Sequence, residues 1–369
     1  MKIVDEAPRQ GLLATITDRA VLTLLDSTSD PLSRSEIAGL SGLSKPAISD
    51  AARRLEEAGV IRPTGTRGGR RGGVATLYEI NANRGHSVAL AVNSEAVSAR
   101  ALRLDGSVGA VASELLSDDA DRGSVIAATN RVLGSVEAEC TTPLLAAAVS
   151  LADPIDPASG RVVEVIDSVF PAGHFDVIDW LPALGTNVAV DNDVNWASIA
   201  ERHVGSMRLI DDFVYVYIGA GLGAGLFLGG QIQRGARGLA GEIGHLRAAK
   251  EGDDLTRSLA RLGWGDSSAR YGLDVGAATT ALEAAVLSPE SVRALELLAV
   301  AIANIVTLLN SRAVVLGGPI GTLHSVVEHL SRALPELVPD AVDVVLGQCT
   351  PLDGASFEAL RMAKSGVGF

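Results

Sequence analysis

Residues 33–80 place the strongest constraint on what this 369-residue chain can fold into. The stretch SRSEIAGL (33–40) predicts a short helix, with Ser33 as N-cap and Glu36 at the capping-box position. A tight turn through Ser41, Gly42 and Leu43 follows. A second helix then opens on Ser44 as N-cap, with Pro46 in its first turn, where a missing N–H costs least. Ile48, Ala51, Ala52, Leu55 and Ala58 fall on one face of that helix and leave Lys45, Ser49, Arg53 and Arg54 off it. Helix, glycine-containing turn and second helix make a helix-turn-helix, whose second helix enters the major groove of duplex DNA.

The next twenty residues sharpen this reading. Gly59 is the expected helix terminator, and Val60-Ile61-Arg62 starts a strand. TGTRGGRRGG (64–73) is a glycine-rich loop carrying Arg67, Arg70 and Arg71 and no acid, and Thr76–Ile80 alternates as a returning strand. An arginine-studded loop between two strands, directly behind a helix-turn-helix, is the wing of a winged helix, lying against phosphates or in the minor groove. The expected contacts with double-stranded DNA are Ser44, Lys45, Ala47, Ser49 and Arg53 from the second helix, with Arg67, Arg70 and Arg71 from the wing. Residues 1–84 form this module and residues 85–369 a separate body.

Charge agrees with that division. The chain carries a net charge of −13, which by itself argues against nucleic acid. Residues 1–84, however, hold 12 Lys and Arg against 10 Asp and Glu, a net +2, while residues 85–369 hold 19 against 34, a net −15. An acidic body repels phosphate and confines DNA contact to the wing and the second helix. Cys140 and Cys349 are the only cysteines, a usage that fits a reducing cytoplasm and not a disulfide scaffold. The N-terminus has no hydrophobic signal core and no uninterrupted apolar run reaches membrane length, so a cytoplasmic chain with no membrane partner is expected.

The body reads as two α/β lobes. Residues 86–108 read as strands turning at Asp105-Gly106, 123–139 as a helix and 144–152 as a buried strand. Residues 186–205 read as a strand running into a helix, and 290–310 as a long apolar helix before the strand and glycine turn of AVVLGGPIG (313–321). Between Phe213 and His245, two apolar strands flank Gly219, Gly221, Gly223 and Gly225, as in a hairpin whose backbone approaches another group closely. No register of that run gives G-x-G-x-x-G, and no Walker A motif occurs.

Strand-Asn192-Asp193-helix, the GxGxG hairpin, AGEIGH (240–245) and strand-GGPIG, in that order, resemble the ROK family of sugar kinases and transcriptional repressors. The resemblance covers nearly the whole chain. It implies an α/β fold with an actin-like, ribonuclease-H-like two-lobed body, in which nucleotide and sugar meet in the cleft. Asn192 and Asp193 match the family's Asn-Asp pair, and Glu242 and His245 match its sugar-contacting pair, so these four residues are the expected sugar or effector contacts. The simpler alternative is that Asp193 and Glu242 only cap the helices that follow them.

Two departures from the family pattern bear on activity. Its phosphate-binding first turn, of the D-x-G-G-T type, is matched here by Ala91–Ala96, with neither the acid nor the glycines, and Glu95 brings negative charge to the place of the polyphosphate. Phosphoryl transfer depends on positioning and charge neutralisation, so no catalytic residue is expected. The glycines of 219–225 and Gly317-Gly318 then read as tight-packing positions. The family's zinc site uses the histidine of the Gly-His pair and three cysteines; His245 is followed by no cysteine, so no metal and no cofactor are expected. The family's Asn in the preceding loop has no clear match near Ile166-Asp167-Ser168, and Thr256 is one candidate for its missing acid. Three functions remain open: a DNA-binding regulator, homodimeric or tetrameric, sensing a sugar or sugar phosphate; an active sugar kinase with an accessory DNA module; and a regulator whose body is a ligand-free scaffold.

Overall fold

The computed structural model describes residues 7–68, 74–117, 120–165, 184–185, 187–247, 253–265 and 271–369. In the N-terminal module, α1 spans Ala7–Asp26, β1 Leu32–Ser33, α2 Arg34–Ser41 and α3 Lys45–Glu57. Ser33 caps α2 through the Glu36 N–H, and the Glu36 carboxylate accepts from the Ser33 N–H at 2.7 Å, which closes the capping box. Gly42 ends α2 in the left-handed region at φ 71°, and Ser44 caps α3 through the Ala47 N–H. Ile48, Ala51, Ala52 and Leu55 are buried as expected, but Ala58 is exposed. It is the C-cap of α3 and lies one turn beyond the surface that the helix covers.

β2 (Ile61–Gly68) and β3 (Val74–Ile80) form the wing, and β1 adds a third strand against β3. The wing tip, with Arg70 and Arg71, lies outside the described residues. The sequence reading did not anticipate α1. Its Val21, Leu22 and Leu25 complete the core made by Ile37, Ile48, Leu55 and Ile61, and Asp18 accepts a bidentate pair from Arg54 at 3.3 and 2.6 Å.

The body repeats one topology twice. In the first lobe, β4 (His86–Val92), β5 (Ala96–Arg103), β6 (Val108–Leu115), β7 (Leu144–Leu151) and β8 (Val188–Asn192) lie in the order β6-β5-β4-β7-β8. α4 (Arg122–Glu139) makes the crossover, and α5 (Asp193–His203) leaves from the end of β8. In the second lobe, β9 (Phe213–Ile218), β10 (Leu222–Leu228), β11 (Gln231–Ile232), β12 (Ala313–Gly317) and β13 (Asp343–Leu346) lie in the order β11-β10-β9-β12-β13. In both, the first strand pairs antiparallel with its hairpin partner and parallel with the fourth. That repetition is the actin-like, ribonuclease-H-like architecture.

The second lobe also holds α6 (Leu255–Leu259), α7 (Val275–Leu282), α8 (Pro289–Leu309) and α9 (His324–Leu337), with α10 (Pro351–Gly366) after β13. α8 is long and apolar enough to cross a membrane, but Ala294, Leu295, Leu298, Ile302 and Val306 are consumed by a core shared with Trp264 and Leu316. Asn310 caps it in the left-handed region at φ 52°. α10 ties the modules together. Its Ala355 and Ala359 pack with Ala148 and Trp196, while Ala363 joins Val21, Leu104 and Ala146 in the core of the N-terminal module. Lys364 Nζ donates to Asp26 of α1 at 2.5 Å. The 3₁₀ turn Ala82–Arg84 links β3 to β4.

Candidate nucleic-acid interface and effector cleft

Ser44, Lys45, Ala47 and Ser49 all lie in the first turns of α3, where a winged helix presents its recognition surface. Two of the expected arginines are already engaged. Arg53 pairs with Glu57 at 3.3 Å and Asp50 at 3.8 Å on its own helix, and Arg67 of the wing reaches Glu36 of α2 at 2.6 Å. These exposed pairs are weak and salt-screened, so a phosphate can displace the acids.

The four expected sugar contacts come together. Asn192, Asp193, Glu242 and His245 line one cleft between the lobes, with Asp153 and Thr256 beside them. The cavity at its centre measures about 200 Å³. α5 brings Asn192 and Asp193 there because it starts where β8 ends. The loop after β11 brings Glu242, and a buried acid pins that loop: Asp191 accepts from Arg234 Nε at 2.7 Å, from Asn195 Nδ2 and from the Asn192 N–H.

The capping alternative divides between the residues. Asn192 does cap α5, its Oδ1 accepting from the Val194 N–H at 2.9 Å, and Asp193 Oδ1 accepts from the same N–H at 2.7 Å. Glu242 caps nothing: it precedes the 3₁₀ turn Ile243–His245 without a side-chain hydrogen bond. Asp193 and Glu242 are both half-buried, and both line the cleft. Burial pushes Asp193 up to about 7, with the charges of Asp153 and Asp191 acting in the same direction. Burial, then Asp193 and Asp153, pushes Glu242 up to about 7. A carboxyl pair that keeps a proton near neutral pH can both donate to and accept from vicinal hydroxyls.

His245 is exposed and stacks on Tyr271 at 5.5 Å, and the Arg257 guanidinium lies over the Tyr271 ring at 5.3 Å from its centroid. Among the described residues no group of three or more His, Cys, Asp or Glu side chains is placed to hold a metal. His245 is instead built into an aromatic stack, and the residues present do not fit the family's zinc site. Cys140 and Cys349 are both half-buried and unpaired as disulfides. Ile166-Asp167-Ser168 lies outside the described residues. Thr256 lines the cleft, its hydroxyl donating to the Gly244 carbonyl at 3.3 Å.

The turn Ala91–Ala96, which matches the family's phosphate-binding first turn, is closed upon itself. Asn93 Oδ1 accepts from the backbone N–H groups of Glu95 at 2.9 Å and Ala96 at 2.8 Å, the kind of amides that would otherwise cradle phosphate. Glu95 lines the cleft beside them. The glycines of the hairpin have packing reasons. A Cβ on Gly223 would meet Val194 at 2.9 Å, and one on Gly225 would overlap the Ser198 hydroxyl, so α5 needs both positions bare. Tyr217 packs over Gly219, and Tyr215 over Gly317.

Sequence reasoning missed Asp153 and the Asp191–Arg234 pair. The only sign of the latter was the unbroken polar run Asp191-Asn192-Asp193 at the end of a buried strand.

Fold and cleft together define a winged helix joined to a sugar-kinase-type body, and comparisons with known proteins agree. Residues 135–256 match the ROK family and residues 15–62 match winged helix-turn-helix DNA-binding domains; the chain carries a ROK family domain behind a winged helix-turn-helix. It is 34% identical over 112 residues to the beta-glucoside kinase of Listeria monocytogenes serovar 1/2a, which covers 30% of this chain and 38% of the kinase. It is 39% identical over 62 residues to a putative xylose repressor of Caldicellulosiruptor sp., covering 17% of this chain and 16% of that protein. This chain thus matches well under two thirds of the length of either relative. The crystal structure of a ROK family transcriptional regulator, homologue of the E. coli MLC protein, superimposes with a TM-score of 0.68 over 97% of this chain and 98% of that one. At 20% identity that likeness establishes the fold alone.

Proposed function

We propose that this protein is a DNA-binding transcriptional regulator, a repressor of carbohydrate-related genes, whose kinase-like body binds a sugar and does not phosphorylate it. The observation that carries this reading is the pairing of a fully capped helix-turn-helix with a cleft that keeps its sugar side and closes its phosphate turn with Asn93. DNA is contacted by Ser44, Lys45, Ala47, Ser49 and Arg53 and by the wing arginines Arg67, Arg70 and Arg71. The effector is contacted by Asn192, Asp193, Glu242 and His245. The cleft is lined by Glu95, Asp153, Asp193 and Glu242 and, among the described residues, by no Lys or Arg, which favours an unphosphorylated sugar over a sugar phosphate. A homodimer on a roughly palindromic operator suits the small surface that one winged helix buries.

The test is selection of genomic DNA fragments by the full chain, followed by binding titrations with and without glucose, mannose, N-acetylglucosamine and xylose. Selective binding altered by one of these sugars supports the reading. Absence of any fragment selection overturns it. A second reading, an active sugar kinase, draws on the match to the beta-glucoside kinase and on the retained Asp193; turnover that disappears in Asp193→Asn would establish it.

A further inference from the structure

A second concavity lies on the N-terminal module, where the starts of α2 and α3 meet β3 of the wing. It is lined by Ser33, Arg34, Ser35, Lys45, Ser49, Ala75, Thr76 and Tyr78, and all its polar side chains can donate hydrogen bonds. Two are cations, three of the remainder are exposed or half-buried hydroxyls, and no carboxylate is among them.

Arg34 is already fixed in place. Its Nη2 donates to the Tyr78 hydroxyl at 2.5 Å, its guanidinium lies 5.1 Å from the Tyr78 ring centroid, and Glu56 stands 3.8 Å away. Its Nε is buried and has no hydrogen-bond partner, a donor lacking its acceptor. Lys45 differs from its neighbours as well. Arg53, Arg54 and Arg67 are each tied to a carboxylate, whereas Lys45 forms no ion pair with a described residue. A rigid guanidinium, an uncommitted ammonium and several hydroxyls around one hollow match a tetrahedral oxyanion.

We propose that this pocket seats a backbone phosphate of bound DNA, with Lys45, Ser35, Ser49 and Thr76 as its ligands over the floor made by Arg34 and Tyr78. The proposal rests on the DNA-binding reading above and changes one part of it. Lys45 and Ser49 then set the position and register of the protein on the duplex and do not read bases, which leaves sequence readout to other parts of the module. The pocket's place supports DNA as the source of the phosphate, because recognition helix and wing flank it and both meet the duplex. A free oxyanion would offer the same chemistry.

The experiment titrates the full chain onto a fluorescent random-sequence duplex over a range of NaCl concentrations, for wild type, Lys45→Ala and Thr76→Val. Melting curves check that both variants remain folded. A phosphate ligand predicts severalfold weaker binding by both variants, with the slope of log K against log salt shallower by about one for Lys45→Ala. Unchanged affinity and slope in Lys45→Ala would overturn the proposal. A parallel arm compares inorganic phosphate with chloride at equal ionic strength. If phosphate raises the melting temperature of wild type but not of Lys45→Ala, while DNA binding of the variant is intact, the pocket is a free-anion site and the DNA assignment is wrong. Failure of wild type to bind the random-sequence duplex even at low salt would instead overturn the DNA-binding reading itself.

Discussion

The Glu242 carboxyl stands close enough to Asp193 to feel its charge, makes no hydrogen bond with a described residue, and is held up to about 7 by burial and by that neighbour. Shifted ionisation of this kind is common among site residues, which is why the proposed effector site is tested first at Glu242.

The first prediction follows from that shift. The folded value of Glu242 lies above its ordinary 4.5, so the native state holds the proton more tightly than the unfolded chain. Stability therefore falls as pH rises from about 4.5 through 7. Glu242→Gln removes the penalty. At pH 8 it is expected to raise stability by on the order of 1 kcal/mol, after discounting for the carboxyl's partial exposure and its coupling to Asp193, and the gain should fade toward pH 4.5. Denaturant unfolding at the two pH values measures it. A loss of stability at both would mean that the carboxylate is a structural acceptor after all.

Effector coupling gives a second test. Glu242→Ala should abolish the influence of sugar on DNA binding while leaving basal operator affinity nearly intact, since the residue lines the cleft of the body and caps no helix. The coupling at stake is typically about 1–3 kcal/mol, or a 5–150-fold change in operator affinity. Fluorescence anisotropy with and without the sugar reads it directly. A response that persists in Glu242→Ala would place the effector elsewhere.

Phosphoryl transfer from ATP and magnesium to glucose, mannose, N-acetylglucosamine or xylose should be undetectable in a coupled assay. Asn93 occupies the amides of Glu95 and Ala96, and Glu95 adds charge of the wrong sign. Turnover abolished by Asp193→Asn would refute this.

Zinc should be well below one equivalent per chain by elemental analysis, and chelator should leave the melting temperature unchanged. His245 instead stacks on Tyr271, with Arg257 over that ring. Tyr271→Ala should therefore lower the melting temperature by about 1–2 °C with or without chelator, as expected for loss of a half-buried aromatic contact worth roughly 1 kcal/mol. Stoichiometric zinc would show that His245 has ligands beyond those described.

Local chemistry made much of this protein legible in its sequence. Ser33, Glu36, Gly42 and Ser44 specify caps and a turn by their own hydrogen-bonding groups and backbone freedom, so the helix-turn-helix could be read residue by residue. The strand–Asn192-Asp193–helix segment and the long helix ending at Asn310 were equally plain, because apolar runs stop abruptly at polar caps. α1 and α10 were not. α10 buries Ala355, Ala359 and Ala363, side chains too small to mark an apolar stripe, and it packs tightly for that same reason.

What only the tertiary structure decided were the relations between distant segments. The sequence set out two α/β lobes and the residues Asn192, Asp193, Glu242 and His245 as candidates; it could not show that β8 with α5 and the loop after β11 bring them to one cleft. Nor could it separate Asn192, which caps, from Glu242, which does not, since a cap is defined by where the next backbone N–H points. The hollow around Arg34, Lys45 and Thr76 needed the fold for the same reason. Its walls come from separate elements between Ser33 and Tyr78, and an orphaned donor exists only once the surrounding chain has excluded water from it.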